Sequence, residues 1–128
     1  METDGEARRV KSYRDLIVWQ KAMKLCADTY QATAAFPEAE RFGLVSQMRR
    51  AAVSIPSNVA EGHGRLSTNE YRQFLGIARG SLKELETQIL IASDLGYLGD
   101  AADACSGLAD EVGRMLSTLI AALRSRPK

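Results

Sequence analysis

Apolar residues recur three and four positions apart in four successive segments of the chain, the spacing of amphipathic helices. Helix-breaking residues separate the segments at Phe36-Pro37, at Gly62-His63-Gly64 and at Gly96. No segment alternates apolar and polar residues in the manner of a strand. Similar helix lengths and short loops predict an all-α, antiparallel up-down-up-down four-helix bundle in one domain. The predicted helices span residues 14–35, 38–61, 67–95 and 100–124.

One apolar seam of each helix is predicted to face the core. The seams are Leu16, Trp19, Met23, Cys26, Tyr30 and Thr33 in the first helix; Leu44, Met48, Ala51, Ile55 and Asn58 in the second; Tyr71, Phe74, Ala78, Leu82, Leu85, Ile89 and Ala92 in the third; and Leu108, Val112, Met115, Leu119 and Ala122 in the fourth. Pro56 predicts a kink in the second helix. Ser67 to Glu70 has the pattern of a capping box, and Gly96 suits a left-handed helix end.

Further apolar residues lie outside the seams of the third and fourth helices. Ile77 and Ile91 lie off the third seam, while Leu116 and Ile120 lie one position round from the fourth. A broad core or scattered exposed side chains would account for them. The interpretation that we favour is a second contact face, for another subunit.

The second helix carries a polar stripe at three- and four-residue spacing, formed by Gln47, Arg50, Ser54, Ser57 and Glu61. Its serines are short enough to let another helix approach closely. With the adjoining Arg49 and Asn58, the stripe is predicted to form a subunit interface or a polar network within the bundle. Plain solvation and ligand binding remain alternatives.

Charge is distributed unevenly, although the formal net charge is only +1. Residues 41–79 contain six arginines and two glutamates, whereas residues 84–111 contain seven acids and no base. We predict a bundle over residues 13–124, a polar N-terminal arm over residues 1–12 and a basic tail over residues 125–128. No stretch is apolar enough to span a membrane, and the N-terminus lacks the pattern of a secretory signal, so a cytoplasmic location is expected.

The residues that enzymes of this fold class commonly use are scarce. A carboxylate-bridged metal site needs two histidines, but His63 is the only one in the chain. Cys26 and Cys105 have no metal-ligand spacing with His63. The sequence therefore predicts no enzymatic activity, no cofactor, no metal site and no small-molecule substrate.

Three motifs in the chain carry a resemblance to a known protein family, and this resemblance covers about residues 13–123. They are Asp15-Leu16-Ile17-Val18-Trp19-Gln20, then Ser54-Ile55-Pro56-Ser57-Asn58-Val59-Ala60-Glu61-Gly62, then Phe74-Leu75-Gly76-Ile77-Ala78-Arg79-Gly80-Ser81-Leu82. In them the chain resembles the small bacterial four-helix-bundle proteins first noticed in intervening sequences of 23S ribosomal RNA genes. The resemblance implies a ring-like homopentamer without enzymatic activity and with an undefined cellular role. It also implies a relation to the accessory protein of diversity-generating retroelements, a basic protein that works with a reverse transcriptase and nucleic acid.

Two functions follow as expectations. The first is a non-enzymatic homo-oligomeric scaffold, in which basic and acidic regions of neighbouring subunits meet. The second is an accessory protein that binds RNA or DNA, against which the acidic residues 84–111 argue because they would repel phosphate. The candidate nucleic-acid contacts are Arg8, Arg9, Lys11, Arg41, Arg49, Arg50, Arg124, Arg126 and Lys128.

Overall fold

Four α-helices account for most of residues 10–124, the part of the chain that this computed structural model describes. They are α1 (Ile17–Thr33), α2 (Leu44–His63), α3 (Thr68–Asp94) and α4 (Ala101–Arg124). Short 3-10 helices, Tyr13–Asp15 and Glu38–Glu40, precede α1 and α2, and residues 10–124 contain no strand. Consecutive helices pack together and α4 packs against α1, which closes the bundle. The predicted four-helix bundle is confirmed.

The proposed arm and tail fall largely outside this range. Residues 1–9 and 125–128 are not among the described residues, and the predicted contacts Arg8, Arg9, Arg126 and Lys128 therefore lie outside them. Ser12 caps the first 3-10 helix by accepting a hydrogen bond from the Arg14 amide. The Asp15 carboxylate accepts bonds from the amides of Lys11 and Ser12, and these bonds lower the pKa of Asp15.

Helix α3 begins and ends where the sequence signals predict. The Ser67 hydroxyl accepts a hydrogen bond from the Glu70 amide at the helix start. At the helix end Gly96 takes the left-handed conformation with a φ of 79°. The Tyr97 amide then donates to the Ala92 carbonyl at 2.9 Å, and the Gly96 amide donates to the Ser93 carbonyl at 3.0 Å. This pair of bonds is a Schellman motif, which satisfies carbonyls that the helix would otherwise leave free.

The core-facing side of α1 is rotated from the predicted seam. Val18, Ala22 and Leu25 are buried, whereas the predicted core residues Met23 and Tyr30 are exposed. A shift of one position turns a helix by about 100°, so the buried stripe continues through Thr29 and reaches Thr33, which the predicted seam also contains. The hydroxyls of both threonines donate to backbone carbonyls one turn earlier, so these polar groups are satisfied inside the core.

The core-facing side of α4 is shifted in the same way, and this corrects a prediction about the interface. Leu116 has no exposed surface and Ile120 is 7% exposed, so both belong to the core of the single chain. The two residues pack on the bundle interior with Val112 and Leu123. The predicted seam residues Met115 and Leu119 lie at its margin and are only partly buried. Leu116 and Ile120 are therefore wrong as candidate contacts to another subunit.

Helices α2 and α3 are in close contact at Gly62, which lies inside α2 and is buried. A β-carbon at this position would lie 2.8 Å from the Phe74 β-carbon and 3.1 Å from the Tyr71 ring. The sequence placed the end of the second helix at Gly62-His63-Gly64, and α2 ends within this triplet, at His63. Gly62 is needed because no side chain fits between the two backbones.

Gly62→Ala should therefore destabilise the protein by about 1–3 kcal/mol, because the new methyl group overlaps Phe74. Gly76→Ala is the matched control, since nothing lies within 4 Å of a β-carbon at this α3 position. An alanine there should stabilise the protein by about 0.5–1 kcal/mol through helix propensity. Urea unfolding measures both changes, and an equal effect of the two substitutions would contradict the close approach at Gly62.

Candidate subunit interface and polar network on the second helix

Part of the predicted polar stripe joins α2 to α3 through side-chain hydrogen bonds. The Ser54 and Ser81 hydroxyls lie 2.7 Å apart. The Asn58 amide nitrogen donates to the Ser54 hydroxyl at 2.9 Å and to the Ser54 carbonyl at 2.8 Å. The Ser54 hydroxyl thus accepts a hydrogen bond from Asn58 and makes a second one with Ser81, in which either hydroxyl can be the donor. All three residues are half-buried, and they fix the register of α2 against α3.

Arg49 joins α2 to the end of α1. Its Nε donates to the Thr33 hydroxyl at 2.9 Å, and its Nη2 donates to the Tyr30 carbonyl at 3.2 Å. The guanidinium also lies 4.5 Å from the centre of the Tyr30 ring. A cation at a helix C-terminus is favourable because the last carbonyls carry partial negative charge. Arg49 therefore has a structural role inside the subunit.

The remaining members of the stripe face outward. Gln47, Arg50 and Ser57 are exposed, and none of them has a hydrogen-bond or ion-pair partner among the side chains of residues 10–124. Glu61 is also exposed and pairs with Arg65 across the end of α2 at 2.9 Å. The sequence pattern placed the seven residues in one group, whereas the structure separates a half-buried network from a solvent-facing row.

A surface groove of about 630 Å³ runs along the outward row of α2 and is bounded by Tyr30 of α1. The short side chains of Ser46, Ser54 and Ser57 leave this space open. Val53, which no sequence pattern marked as a site residue, contributes an apolar surface at its centre and is 42% exposed. We call it the α2 groove, and its lining residues are Tyr30, Ser46, Arg49, Arg50, Val53, Ser54, Ser57 and Asn58.

Large apolar side chains remain exposed on α3. Ile77 and Ile91, both predicted to lie outside the core, are 51% and 44% exposed. Leu90 and Leu95 are exposed beside Ile91. Exposed Met23 and Tyr30 of α1 were missed as surface residues because periodicity assigned them to the core. Apolar residues occupy more of the circumference of α1 than one core-facing stripe needs. This could have indicated that some of them are exposed, but not which ones.

The candidate nucleic-acid contacts do not form one surface. Lys11 precedes α1 and Arg124 ends α4, so antiparallel packing places them at one end of the bundle. Arg41 precedes α2, at the opposite end. Arg49 and Arg50 lie on the half of α2 nearer to Arg41, and Arg49 is already bound to α1.

Within residues 10–124 no group of three or more histidine, cysteine or acidic side chains could hold a metal ion. His63 packs its ring edge-on against Tyr71, with 5.8 Å between ring centres. Burial raises the pKa of both the Cys26 and the Cys105 thiols. A raised pKa keeps a thiol protonated at neutral pH, and the protonated form is a poor nucleophile and metal ligand.

None of the helices within residues 10–124 combines the length and the apolar character that crossing a membrane requires.

The bundle and its motifs on α2 and α3 match a known protein family. The profile of the 23S rRNA-intervening sequence protein family matches residues 14–118. The chain belongs to this family. The matched range covers the four helices except for the last residues of α4, so family membership applies to the bundle itself. No curated protein matches the chain.

A solved structure supports the fold independently. The chain is similar to a protein of unknown function of the S23 ribosomal protein family from Bacteroides thetaiotaomicron, with a TM-score of 0.74 and 19% sequence identity. The similarity covers 81% of this chain and 98% of the other. At this identity the likeness establishes the shared fold.

Ser54→Ala should lower stability by about 1–2 kcal/mol more than Ser57→Ala does. The first substitution removes the hydroxyl that joins Asn58 to Ser81. It leaves the half-buried Ser81 hydroxyl without this partner, while Asn58 keeps its bond to the Ser54 carbonyl. The second removes an exposed hydroxyl of the same helix. Both changes bring the same increase in helix propensity, so their difference in urea unfolding measures the network. Equal free energies would show that the network does not stabilise the fold.

Proposed function

We propose that the protein is a non-enzymatic, cytoplasmic homo-oligomer that serves as a helical-bundle scaffold. The observation that carries this proposal is the large apolar side chains that stay exposed after the four-helix core is complete. Val53, Ile77, Leu90, Ile91 and Leu95 lie on the outside of α2 and α3. Removing such surface from water is favourable by about 25 cal/mol per Å², which favours association of subunits.

The location of these residues supports an interface. Ile77, Leu90 and Ile91 lie on α3 with Leu95 at its end, and Val53 lies in the α2 groove on the adjacent helix. Other large apolar residues are exposed on α1 and in the loops, and these are Ile17, Met23, Tyr30, Phe42 and Leu66. The family resemblance implies a ring-like pentamer, which is the assembly that we propose.

The purified chain should behave as one discrete oligomer at micromolar concentration. Multi-angle light scattering after gel filtration gives the mass directly, to be compared with 14.0 kDa for one chain. A mass near five chains would support the pentamer, and another discrete multiple would support self-assembly without the ring of five. A monomer would remove the proposal.

Association with RNA or DNA is a second candidate, favoured by the segregation of charge along the bundle. One end of the bundle is formed by the start of α1, the end of α2, the start of α3 and the end of α4. Its basic residues outnumber its acidic ones: Lys11, Arg14, Arg65, Arg72 and Arg124 against Asp15, Glu61 and Glu70. At the opposite end the balance is reversed, with Glu38, Glu40, Asp94, Asp100 and Asp103 against Arg41. This basic end is where a phosphate backbone would bind with least repulsion. The relation to the retroelement accessory protein is part of the same proposal.

One groove on α3 suits a phosphate group. Arg72 and Arg79 line it with the amides of Asn69 and Gln73, and Gly76 leaves its floor open. The Arg72 Nε is buried and has no hydrogen-bond partner. A phosphate oxygen would satisfy this donor, and the exposed Arg79 could bind a neighbouring oxygen.

Arg79→Gln should weaken binding to single-stranded RNA or DNA and reduce the slope of log affinity against log salt by about one unit per phosphate that this arginine binds. Arg41→Gln makes the same charge change at the acidic end and should leave the slope unchanged. Fluorescence anisotropy from low to high salt tests both. Equal effects of the two substitutions would refute a site at Arg79, and no binding at low salt would remove the second candidate.

A further inference from the structure

Two exposed faces of the folded bundle differ in charge, and both are partly apolar. The first is the α2 groove, which contains Val53, Tyr30 and two arginines. The second, here called the α3 stripe, consists of Glu84, Thr87, Ile91 and Asp94, with Leu90 and Leu95 beside it. We infer that the α2 groove of one subunit binds the α3 stripe of a second copy of the chain. This inference rests on the proposed self-assembly and identifies the surfaces that carry it.

The α2 groove offers space, apolar surface and positive charge together. Three of its lining residues are serines, whose short side chains leave room for a partner helix. Val53 and Tyr30 are each 42% exposed and supply the apolar part. Arg50 lies beside Val53 and has no ion-pair partner within residues 10–124. A partner with an apolar centre and a nearby carboxylate would therefore fit.

The α3 stripe has those properties. Glu84, Thr87, Ile91 and Asp94 follow each other at spacings of three or four residues, so they lie along one side of the helix. All four are exposed, and neither Glu84 nor Asp94 has an ion-pair partner in the described part of the chain. Glu86, by contrast, is paired with Lys83. The stripe thus presents free carboxylates around an exposed isoleucine.

The spacings of the two faces match. Arg50 precedes Val53 by three residues, and Asp94 follows Ile91 by three residues, which is about 4.5 Å along each helix axis. If two helices cross antiparallel with Val53 against Ile91, Arg50 and Asp94 come within reach of each other. The contact then joins an apolar pair and an opposite charge pair at the same time.

Contacts between identical faces are disfavoured by charge. A joint between two α2 grooves would bring Arg49 and Arg50 of both copies together, and a joint between two α3 stripes would bring Glu84 and Asp94 together. Like charges at an interface oppose association. A joint between different faces leaves one free face on each subunit, so repetition closes a ring or extends a filament.

Complementary half-defective variants test this joint. Val53→Asp places a carboxylate in the groove opposite the acidic stripe, and Ile91→Lys places a cation in the stripe opposite the arginines. Each position is exposed, so the bundle should fold, which circular dichroism and thermal unfolding check. We expect each variant alone to be monomeric, with subunit affinity reduced about 100-fold or more. Leu66→Asp changes an exposed leucine outside both faces and should keep the oligomer of the unmodified chain.

Mixing the two variants gives the decisive result. The Val53→Asp chain retains an intact stripe and the Ile91→Lys chain retains an intact groove, so an equimolar mixture should assemble although neither chain does so alone. The two altered faces carry opposite charges and can also pair, so the expected product is a species with equal numbers of both chains, not a dimer alone. Light scattering with one chain mass-tagged identifies this species. A mixture that stays monomeric would overturn the inference, as would assembly of either variant alone. If the unmodified chain is itself monomeric, the proposed function fails as well, whereas an unmodified oligomer with unaffected variants refutes only the pairing of these faces.

A charge exchange provides a second readout. Arg50→Glu should weaken the oligomer, because it places a carboxylate opposite the Asp94 carboxylate of the neighbouring subunit. Adding Asp94→Lys to the same chain should raise the affinity of assembly again by about tenfold or more, since each joint then contains the reversed pair. A double variant no stronger than Arg50→Glu alone would contradict the proposed contact between these positions.

Discussion

The approach of α2 to α3 is the constraint on which the rest of the bundle depends. At Gly62 the two helices are so close that even one methyl group would overlap Phe74. Farther along, the facing pair is Ser54 and Ser81, whose hydroxyls are 2.7 Å apart. Small residues at these levels let the backbones come together, and the hydrogen bonds fix one register among several that small side chains would permit. The register in turn decides which residues of both helices point outward.

The same small residues shape the surface. Because α2 uses serine where a surface helix usually carries long side chains, the α2 groove stays open above it. Arg49 supports one wall by binding the end of α1 and lying over Tyr30. The polar network and the groove are therefore two sides of one feature. Close packing inside requires short side chains, and short side chains leave room for a partner outside.

Helix number, order and most boundaries follow from the sequence, since proline, glycine and the cap at Ser67 act locally. The orientation of α1 and α4 does not. In α4 one apolar series runs through Leu108 and Met115 and another through Leu116 and Ile120, and both have helical spacing. Which series faces inward depends on the neighbouring helices. The periodicity within one helix carries no information about those neighbours. The close contact at Gly62 could not be predicted for the same reason, because it depends on Phe74 of the next helix.

The orientation of α4 also limits where subunits can meet. Its large apolar residues are buried in the core of the single chain or at its margin, so the large exposed apolar side chains of the helices lie on α1, α2 and α3. The exposed apolar side chains of α2 and α3 also differ in their charged neighbours. Those of α2 lie beside an unpaired arginine, whereas those of α3 lie beside unpaired carboxylates. A surface that is apolar throughout would associate in many orientations, whereas opposite charges beside each apolar centre favour one. Folding of the single chain thus restricts both the location and the polarity of any assembly that follows.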